Sequence, residues 1–171
     1  MPQNAGKPLA LVLMGSDSDL PVMEGCLAVL KEFGVPFHVE FCSAHRTPER
    51  AAELASGAAS AGFKVIIAAA GAAAHLAGVL ASHTTLPVIG VPCPSALDGL
   101  DSLLSTVQMP AGVPVATVAI GKAGGVNSAL LAVRILALSD DSLAAALEGY
   151  RAKLKEKVAA KNEALKKKLG L

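Results

Sequence analysis

The sequence predicts a three-layer α/β/α sandwich built on a five-stranded parallel sheet. Strand-like and helix-like segments alternate along the chain, and the strand-like segments are nearly continuous runs of Val, Ile, Leu and Ala. This pattern is typical of parallel strands that are covered by helices on both faces. Of the 171 residues, 53% are hydrophobic and 17% are charged. A chain of this size supplies one buried core, so we expect a single α/β domain over residues 1–171, with its core at about 8–138.

The local pattern places each element of this fold. We expect strands at 8–14, 35–41, 64–69, 87–91 and 113–120, and helices between or after them at 20–33, 47–61, 73–82, 98–107 and 123–138. After residue 140 one apolar stripe recurs at spacings of three, four and seven: Leu147, Tyr150, Leu154, Val158, Leu165 and Leu169. The stripe predicts a long C-terminal helix over about 140–169.

Composition argues against several functional classes. Fifteen Lys and Arg balance fourteen Asp and Glu, aromatic residues make up 3%, and Trp is absent. A nucleic-acid partner is therefore not expected. The three cysteines at 26, 42 and 93 have no CxxC spacing, so we expect a reducing compartment and neither a disulfide framework nor a metal site.

Two segments bear on localisation. Residues 1–7 are polar and lead into an apolar run of only about seven residues, too short for a signal peptide. The uncharged stretch 65–81 falls short of the ~20 residues that a spanning helix needs. We expect a cytoplasmic protein without a membrane partner.

Charge divides the chain into two unequal parts. Residues 1–150 hold seven basic and twelve acidic side chains, a balance of −5, whereas residues 151–171 hold eight and two, a balance of +6. Such a basic tail is compatible with RNA or membrane binding. We favour a solvated outer face of a helix whose apolar stripe packs on its own domain or on a neighbouring subunit.

Functional residues of an open parallel sheet are expected in the loops after its strands, because ligands bind beyond the carboxyl ends of the strands. The polar residues concentrate in these loops, at 15–19, 43–48, 70–76, 92–95 and 121–125. The first loop offers hydroxyls and backbone amides that can hold a phosphate. Asp17 and Asp19 would repel a phosphate, so one of them is expected to bind sugar hydroxyls while Arg46 clamps the phosphate. The alternative is that Ser-Asp-Ser-Asp only caps a helix.

Among the histidines, His45 is the candidate for proton transfer, because it follows a strand directly, beside Arg46. His75 follows a loop of Gly and Ala that brings bare backbone close to a ligand. His38, inside a strand, and His83, at a helix end, are expected to be structural or exposed. His75 and His83 would lie about 12 Å apart on a helix and cannot share a metal ion.

Three further interpretations are less favoured. Cys42 is three residues from His45, but its place at a strand end favours a buried small hydrophobe over a nucleophile. The segment 121–125 matches neither GxxxxGK[ST] nor GxGxxG, so neither ATP nor a dinucleotide is expected. Asp17, Asp19 and Lys122 have positions similar to those of the acidic and lysine residues of a phosphoacceptor receiver module. A receiver needs its acceptor Asp at the end of the third strand, where this sequence has Ala and Gly, so this interpretation is not favoured.

Several long motifs resemble one family. They are MGSDSD (14–19), SAHRTPE (43–49), GAAAHLAG (71–78), LPVIGVP (86–92) and DSLLSTVQMPAGVPVATVAIGKAG (101–124). In this order they resemble the N5-carboxyaminoimidazole ribonucleotide mutases of purine biosynthesis. The resemblance implies a flavodoxin-like sandwich that assembles as a homo-octamer and needs no cofactor. The sequence departs from the family at Ala72, where Gly is usual, at Ala77 for Pro, at Val79 for Met, and at Cys93-Pro94.

The resemblance also implies site residues. Ser16, Asp19 and Arg46 resemble the residues that bind ribose phosphate, and His45 resembles the proton-transferring residue. Neighbouring residues of the same loops complete the candidate substrate-binding set: Ser18, Ser43, Gly71 and His75. The implied reaction releases carbon dioxide from the exocyclic nitrogen and adds it to carbon 4 of the imidazole. Ala-Ala-His-Leu at 73–76 favours this mutase branch over direct carboxylases, which resemble Gly-Arg-Ser-Asn there.

Overall fold

The computed structural model describes residues 7–171, in which five strands form one sheet. They are β1 (Ala10–Met14), β2 (Phe37–Phe41), β3 (Val65–Ala70), β4 (Val88–Pro92) and β5 (Ala116–Thr117). Every pairing is parallel, in the order β2-β1-β3-β4-β5. The predicted parallel sheet is confirmed, and its strand order is that of flavodoxin-like folds. The polar segment at residues 1–6, on which the expectation about a signal peptide rests, lies outside the described residues.

Six α-helices in the described range complete the three layers. They are α1 (Leu20–Glu32), α2 (Pro48–Ala61), α3 (Leu76–Ser82), α4 (Leu100–Val107), α5 (Lys122–Leu136) and α6 (Asp141–Leu169). The central strands supply a core on each face, because neighbouring side chains of a strand point to opposite sides. In β1, for example, Val12 packs in the cluster with α1 and α5, while Leu11 and Leu13 pack in the cluster with α2 and α3.

The edges of the sheet differ from the sequence-based expectation. β2 does not have two buried faces: Val39 is 40% exposed and Phe41 is 52% exposed. β2 pairs only with β1 among the described strands, so one side of it has no neighbouring strand there. At the other edge, β5 has two residues instead of the predicted segment 113–120. Pro114 has no N–H to donate to a ladder, which helps to confine the regular pairing to a short segment.

The C-terminal helix α6 confirms the predicted long element and divides into two parts. Asp140 caps it by accepting hydrogen bonds from the amides of Ser142 and Leu143 at 2.9 and 3.1 Å. Its first turns pack on the sandwich, with Leu143 buried and the Tyr150 ring centroid 5.7 Å from that of Phe33. Residues 151–171 are all exposed. The second half of the apolar stripe therefore does not pack on its own chain.

Among the helices within residues 7–171, none combines the length and the apolar character that crossing a membrane requires.

One close helix contact fixes the layer formed by α1 and α5. Gly125 of α5 is buried, and a methyl group placed on it would overlap the carbonyl oxygen of Val22 in α1. Gly149 of α6, in contrast, has no atom within 4 Å of such a methyl. Substitutions at these two glycines therefore separate the effect of close packing from the effect of helix propensity.

We predict that Gly125→Ala lowers the free energy of unfolding by about 1–3 kcal/mol, the usual cost of overpacking a core. Gly149→Ala is the matched control, and it is expected to raise that free energy by up to ~1 kcal/mol through helix propensity. Urea denaturation of both variants measures the difference. Equal stability of the two variants would contradict the contact between α1 and α5.

Candidate functional site

A cleft of about 480 Å³ lies at the carboxyl ends of β1, β2, β3 and β4. It spans the point between β1 and β3 where the strand order reverses, which is where open sheets of this type bind ligands. All eight candidate residues from the sequence lie in its lining: Ser16, Ser18, Asp19, Ser43, His45, Arg46, Gly71 and His75. The loops after four strands thus line one cleft, as expected from the rule that ligands bind beyond strand ends, whereas the fifth polar loop, 121–125, is not in the lining.

The first loop combines a capping structure with part of the cleft wall. Ser16 begins a short 3-10 turn over Asp17–Asp19, and its hydroxyl oxygen accepts a hydrogen bond from the Ser18 amide at 3.4 Å. The Asp19 carboxylate accepts one from the Ser16 amide at 3.0 Å. The motif therefore makes capping contacts, around a 3-10 turn that leads into α1. It does not exclude ligand binding, because Ser16, Ser18 and Asp19 also line the cleft.

The two carboxylates of this loop have different environments. Asp17 accepts hydrogen bonds from the Ser16 hydroxyl and the Ser18 amide, which lower its pKa, and it is not among the residues that line the main cleft. Asp19 is 5% exposed, and burial raises its pKa. The acidic group in the cleft is therefore Asp19.

Arg46 joins the loops after β1 and β2. Its Nη2 donates to the carbonyl oxygen of Gly15 at 3.2 Å, and its Nε donates to the Ser43 hydroxyl at 3.4 Å. The guanidinium group thereby lies next to the hydroxyls and amides of the first loop. This combination presents a fixed cation and several hydrogen-bond donors to an anionic ligand.

A histidine pair connects the second and third loops. Nε2 of His45 and Nδ1 of His75 lie 2.8 Å apart, so that one ring donates its N–H to the bare nitrogen of the other. The rings meet edge to face, with centroids 4.9 Å apart. The sequence placed both residues in strand-end loops but did not predict this contact. The strand order is the signal that would have revealed it, because β2 and β3 both flank β1.

The third loop is a tight turn rather than the start of a helix. The Ala74 and His75 amides donate to carbonyl oxygens only two residues earlier, at 2.8 and 2.7 Å. Ala72 has a φ of +55°, in the left-handed region that favours glycine. These features delay α3 to Leu76, so the predicted start at 73 is wrong. Gly71, Ala72 and Ala73 bring small groups and backbone to the cleft wall.

The loop after β4 contributes residues that the sequence analysis did not single out. Pro94 and Ser95 line the cleft, and the Ser95 hydroxyl donates to the Asp101 carboxylate at the start of α4. That bond lowers the pKa of Asp101. Ser95 follows its strand as Ser16 and Ser43 follow theirs, a recurrence that would have identified it.

The cysteines near the cleft are buried thiols. Cys42 is 2% exposed and burial raises its pKa, which confirms the interpretation as a small hydrophobe. Cys93 is 3% exposed, and burial together with the nearby Asp19 carboxylate raises its pKa to about 12. Neither thiol is set up to ionise as a nucleophile near neutral pH.

Other sequence candidates lie outside this site. His38 pairs with Glu40 on β2 at 3.3 Å, and His83 ends α3, as expected for residues outside the chemistry. Lys122 is the first residue of α5 and does not line the cleft. It therefore does not form a site together with Asp17 and Asp19, as the corresponding lysine of a receiver module would. Over the described range 7–171, no three or more His, Cys, Asp or Glu side chains are grouped to hold a metal ion.

An open parallel sheet with a polar cleft at its switch point defines a three-layer α/β/α protein with the kind of cleft in which such folds bind small molecules. A family model described as AIR carboxylase matches residues 9–157. The chain belongs to the AIR carboxylase family.

Individual relatives cover nearly all of the chain. An N5-carboxyaminoimidazole ribonucleotide mutase of Pyrococcus horikoshii is 57% identical over 160 residues, which span 93% of this chain and 89% of that protein. A phosphoribosylaminoimidazole carboxylase of Saccharomyces cerevisiae is 56% identical over 93% of this chain, but the match spans only 28% of the yeast protein. The crystal structure of Treponema denticola PurE has a TM-score of 0.82 at 31% identity, covering 93% of this chain and 99% of that one.

We predict that Ala72→Gly raises the free energy of unfolding by about 1 kcal/mol, because glycine adopts a positive φ without the clash of a Cβ atom. Ala73→Gly, one residue further, is the matched control. Ala73 does not have a positive φ, so glycine there is expected to lower stability by roughly 0.5–1 kcal/mol. Chemical denaturation of both variants measures the two signs, and a loss of stability in Ala72→Gly would disprove the strained turn.

Proposed function

We propose that this protein converts N5-carboxyaminoimidazole ribonucleotide to 4-carboxyaminoimidazole ribonucleotide in purine biosynthesis. The observation that carries the proposal is the arrangement of the cleft, in which Arg46 lies beside the first loop and His45 contacts His75. We assign the binding of an anion to Arg46 and the first loop, and proton transfer to the pair of histidines. The high identity to a mutase over nearly the whole chain supports this substrate.

The ribose phosphate is proposed to bind between the first two loops. The Ser16 and Ser18 hydroxyls, the amides of the turn and the Arg46 guanidinium are donors to the phosphate oxygens. One oxygen of the Asp19 carboxylate accepts a hydrogen bond from the Ser16 amide. The other oxygen is proposed to accept hydrogen bonds from the ribose hydroxyls. Ser43 supports the clamp because its hydroxyl accepts from both the amide and the Nε of Arg46.

Proton transfer is assigned to His45. In the first step the bond between the exocyclic nitrogen and the carboxylate carbon breaks, carbon dioxide leaves, and the nitrogen takes a proton from His45. In the second step carbon 4 forms a bond to carbon dioxide and returns its proton to His45. One imidazole thus serves as acid and then as base. His75 is proposed to orient His45 through their shared hydrogen bond.

The released carbon dioxide is proposed to stay beside the third loop. Residues 70–74 are all Ala or Gly, and Ala72 and Ala73 lie outside any helix or strand. Their amides are therefore not used by regular structure and can meet a carboxylate, while their methyl groups exclude water. This route uses no ATP, biotin, flavin or metal, and we propose that the enzyme works without a cofactor.

Direct carboxylation of aminoimidazole ribonucleotide is the second candidate, favoured by the 56% identity to the yeast carboxylase. An activity assay separates the two. The enzyme is given either N5-carboxyaminoimidazole ribonucleotide or aminoimidazole ribonucleotide with bicarbonate, and formation of the 4-carboxy product is followed. We expect efficient turnover of the first substrate. Faster turnover of the second would overturn the mutase assignment in favour of carboxylation.

We also propose that the protein assembles as a homo-octamer in the cytoplasm. Residues 151–171 are exposed on the isolated chain, although Leu154, Val158 and Leu165 are apolar. Their segment carries +6 and the rest of the chain carries −5, so a neighbouring copy offers opposite charge as well as apolar area. A stripe of this length exposed to water is typical of an interface.

We predict that His45→Asn binds nucleotide nearly normally but loses roughly a hundredfold to ten-thousandfold in turnover, the usual contribution of acid–base catalysis. His75→Asn is expected to lose less, because that residue orients His45. His83→Asn, outside the cleft, is the control and should retain wild-type turnover. Steady-state kinetics and a binding titration measure these effects. Near-wild-type turnover in His45→Asn would mean that another group moves the proton.

We predict that Arg46→Lys weakens nucleotide binding by about 1–3 kcal/mol, because lysine keeps the charge but loses the planar two-point contact. Arg50→Lys is the matched control: Arg50 is an exposed residue that pairs with Glu40 and Glu53. It should leave binding unchanged. Calorimetric titration with aminoimidazole ribonucleotide measures both, and equal affinities would remove Arg46 from the phosphate clamp.

We predict that deletion of residues after Tyr150 reduces the assembly to smaller species, because it removes the exposed half of the stripe. The double variant Leu154→Ser, Val158→Ser tests the same surface without a truncation. Light scattering at micromolar concentration reports the mass of each form. A monomeric wild type would overturn the octamer, and an intact assembly of both variants would exclude α6 from the interface.

A further inference from the structure

We propose that Ser95 and Asp101 form an acceptor pair for the exocyclic nitrogen of the substrate, in which the Ser95 hydroxyl oxygen accepts a hydrogen bond from that nitrogen. Ser95 is then the residue that touches the reacting group, and Asp101 is a positioning residue that acts through it. The inference rests on the proposed mutase function, which gives neither residue a role.

The first observation is that the loop carrying Ser95 is fixed in place. At its start, the Cys93 amide donates to the carbonyl oxygen of Ala70 at 2.9 Å. At its end, Gly99 has a φ of +89°, and a methyl group placed on it would lie only 3.3 Å from the Cα atom of Pro94. The backbone on both sides of Ser95 is therefore closely packed, and its hydroxyl has a defined position before a ligand binds.

The second observation is the direction of the Ser95 hydroxyl group. It donates to the carboxylate of Asp101, its hydrogen-bond partner among the described residues. Asp101 lies in the first turn of α4, where the helix dipole favours a negative charge, and the bond from Ser95 lowers its pKa. An ionised carboxylate can only accept hydrogen bonds, so the one hydroxyl proton of Ser95 is used by Asp101. The Ser95 oxygen is left to accept a hydrogen bond from a ligand.

The third observation is the place of Ser95 in the cleft. The strand order is β2-β1-β3-β4, so Arg46 after β2 and Ser95 after β4 lie at opposite ends of the lining. β1 and β4 are two strand spacings apart, about 10 Å. A ribonucleotide held by its phosphate at the first loop therefore extends its base towards β4. A methyl group built on Gly71 would lie 3.8 Å from the Cβ atom of Ser95, which places Ser95 beside the loop that leads to His75.

The chemistry of the substrate identifies the group that such an acceptor binds. The phosphate and the carboxylate offer only acceptors, and the ribose hydroxyls are assigned to Asp19. The N–H of the exocyclic nitrogen is the remaining donor, and it belongs to the base end of the nucleotide. The Asp101 charge behind Ser95 also repels the carboxylate, which is thereby directed to the amides of the third loop.

The same contact favours the second step of the reaction. When carbon 4 bonds to carbon dioxide, the lone pair of the exocyclic nitrogen moves towards the ring, and the nitrogen gains positive charge. The Ser95 oxygen, with the Asp101 carboxylate behind it, stabilises this charge without reorganisation. When the C4 proton passes to His45, the C–H electrons return to the ring and the nitrogen is neutral again. The contact is therefore strongest in the transition state, which lowers the barrier.

The first test is a calorimetric titration of the full-length Ser95→Ala enzyme. It compares aminoimidazole ribonucleotide with the analogue that has hydrogen in place of the exocyclic amine. We expect binding of the amine to weaken by roughly tenfold, the usual contribution of such a hydrogen bond, and binding of the analogue to stay unchanged. Ser60→Ala is the matched control, because Ser60 is exposed on α2 and donates to the Gly57 carbonyl oxygen outside the cleft. It should bind both nucleotides as the wild type does.

The second test uses Asp101→Asn, which keeps the shape of the side chain and removes the charge behind Ser95. We expect kcat for N5-carboxyaminoimidazole ribonucleotide to fall by roughly tenfold to a hundredfold, with a smaller change in KM, because the nitrogen is charged only in the transition state. Asp98→Asn, an exposed residue of the same loop outside the cleft lining, is the control and should retain wild-type kcat.

The two tests also separate a structural role from the proposed one. Equal weakening of both nucleotides in Ser95→Ala, or unchanged affinity for the amine, would overturn the inference. Wild-type kcat in Asp101→Asn would overturn it as well. A wild-type enzyme that does not convert the N5-carboxy compound would instead overturn the proposed function, and the inference with it.

Discussion

The parallel register of β1 with its two neighbours is the constraint on which the site depends. The last residue of β1, Met14, pairs with Phe41 of β2 on one side and with Ala69 of β3 on the other. Three chain segments therefore leave the sheet at the same level. Their loops meet above β1, which allows Arg46 to reach the Gly15 carbonyl and His45 to reach His75. A shift of one residue in either pairing would turn the following side chains to the opposite face.

Within this frame, the polar groups of the cleft are held by contacts among themselves before any ligand binds. Asp19 is held by the Ser16 amide, Arg46 by Ser43 and Gly15, and His45 by His75. Groups that are already oriented need little reorganisation when charge moves during a reaction, which is the main source of electrostatic catalysis. The arrangement has a cost at Asp19, where burial raises the pKa and so disfavours the charged form.

The third loop lines the cleft mainly with backbone and small side chains, and not with charged groups. Its turn is closed by hydrogen bonds two residues apart and is supported from behind by Ser105 of α4. The left-handed conformation of Ala72 shows that the turn is imposed by its surroundings and not by local preference. A backbone turn held by these hydrogen bonds, beside a histidine pair, suits the proposed reaction, whose carbon dioxide intermediate is small and neutral. The second half of α6 contributes nothing to the cleft lining.

The sequence by itself determined the layer order, the central strands and most of the loops that line the cleft, because these follow from hydrophobic periodicity and from the rule that ligands bind at strand ends. It also identified eight of the residues that line the cleft, among them His45, Arg46 and Asp19. Only the tertiary structure decided which of them touch. The contact of His45 with His75 joins residues 30 positions apart, and no local pattern encodes such a distance. The tertiary structure also decided three further features: the left-handed conformation of Ala72, the exposure of β2 and the short length of β5. Backbone strain and edge exposure depend on neighbours that are remote in the chain.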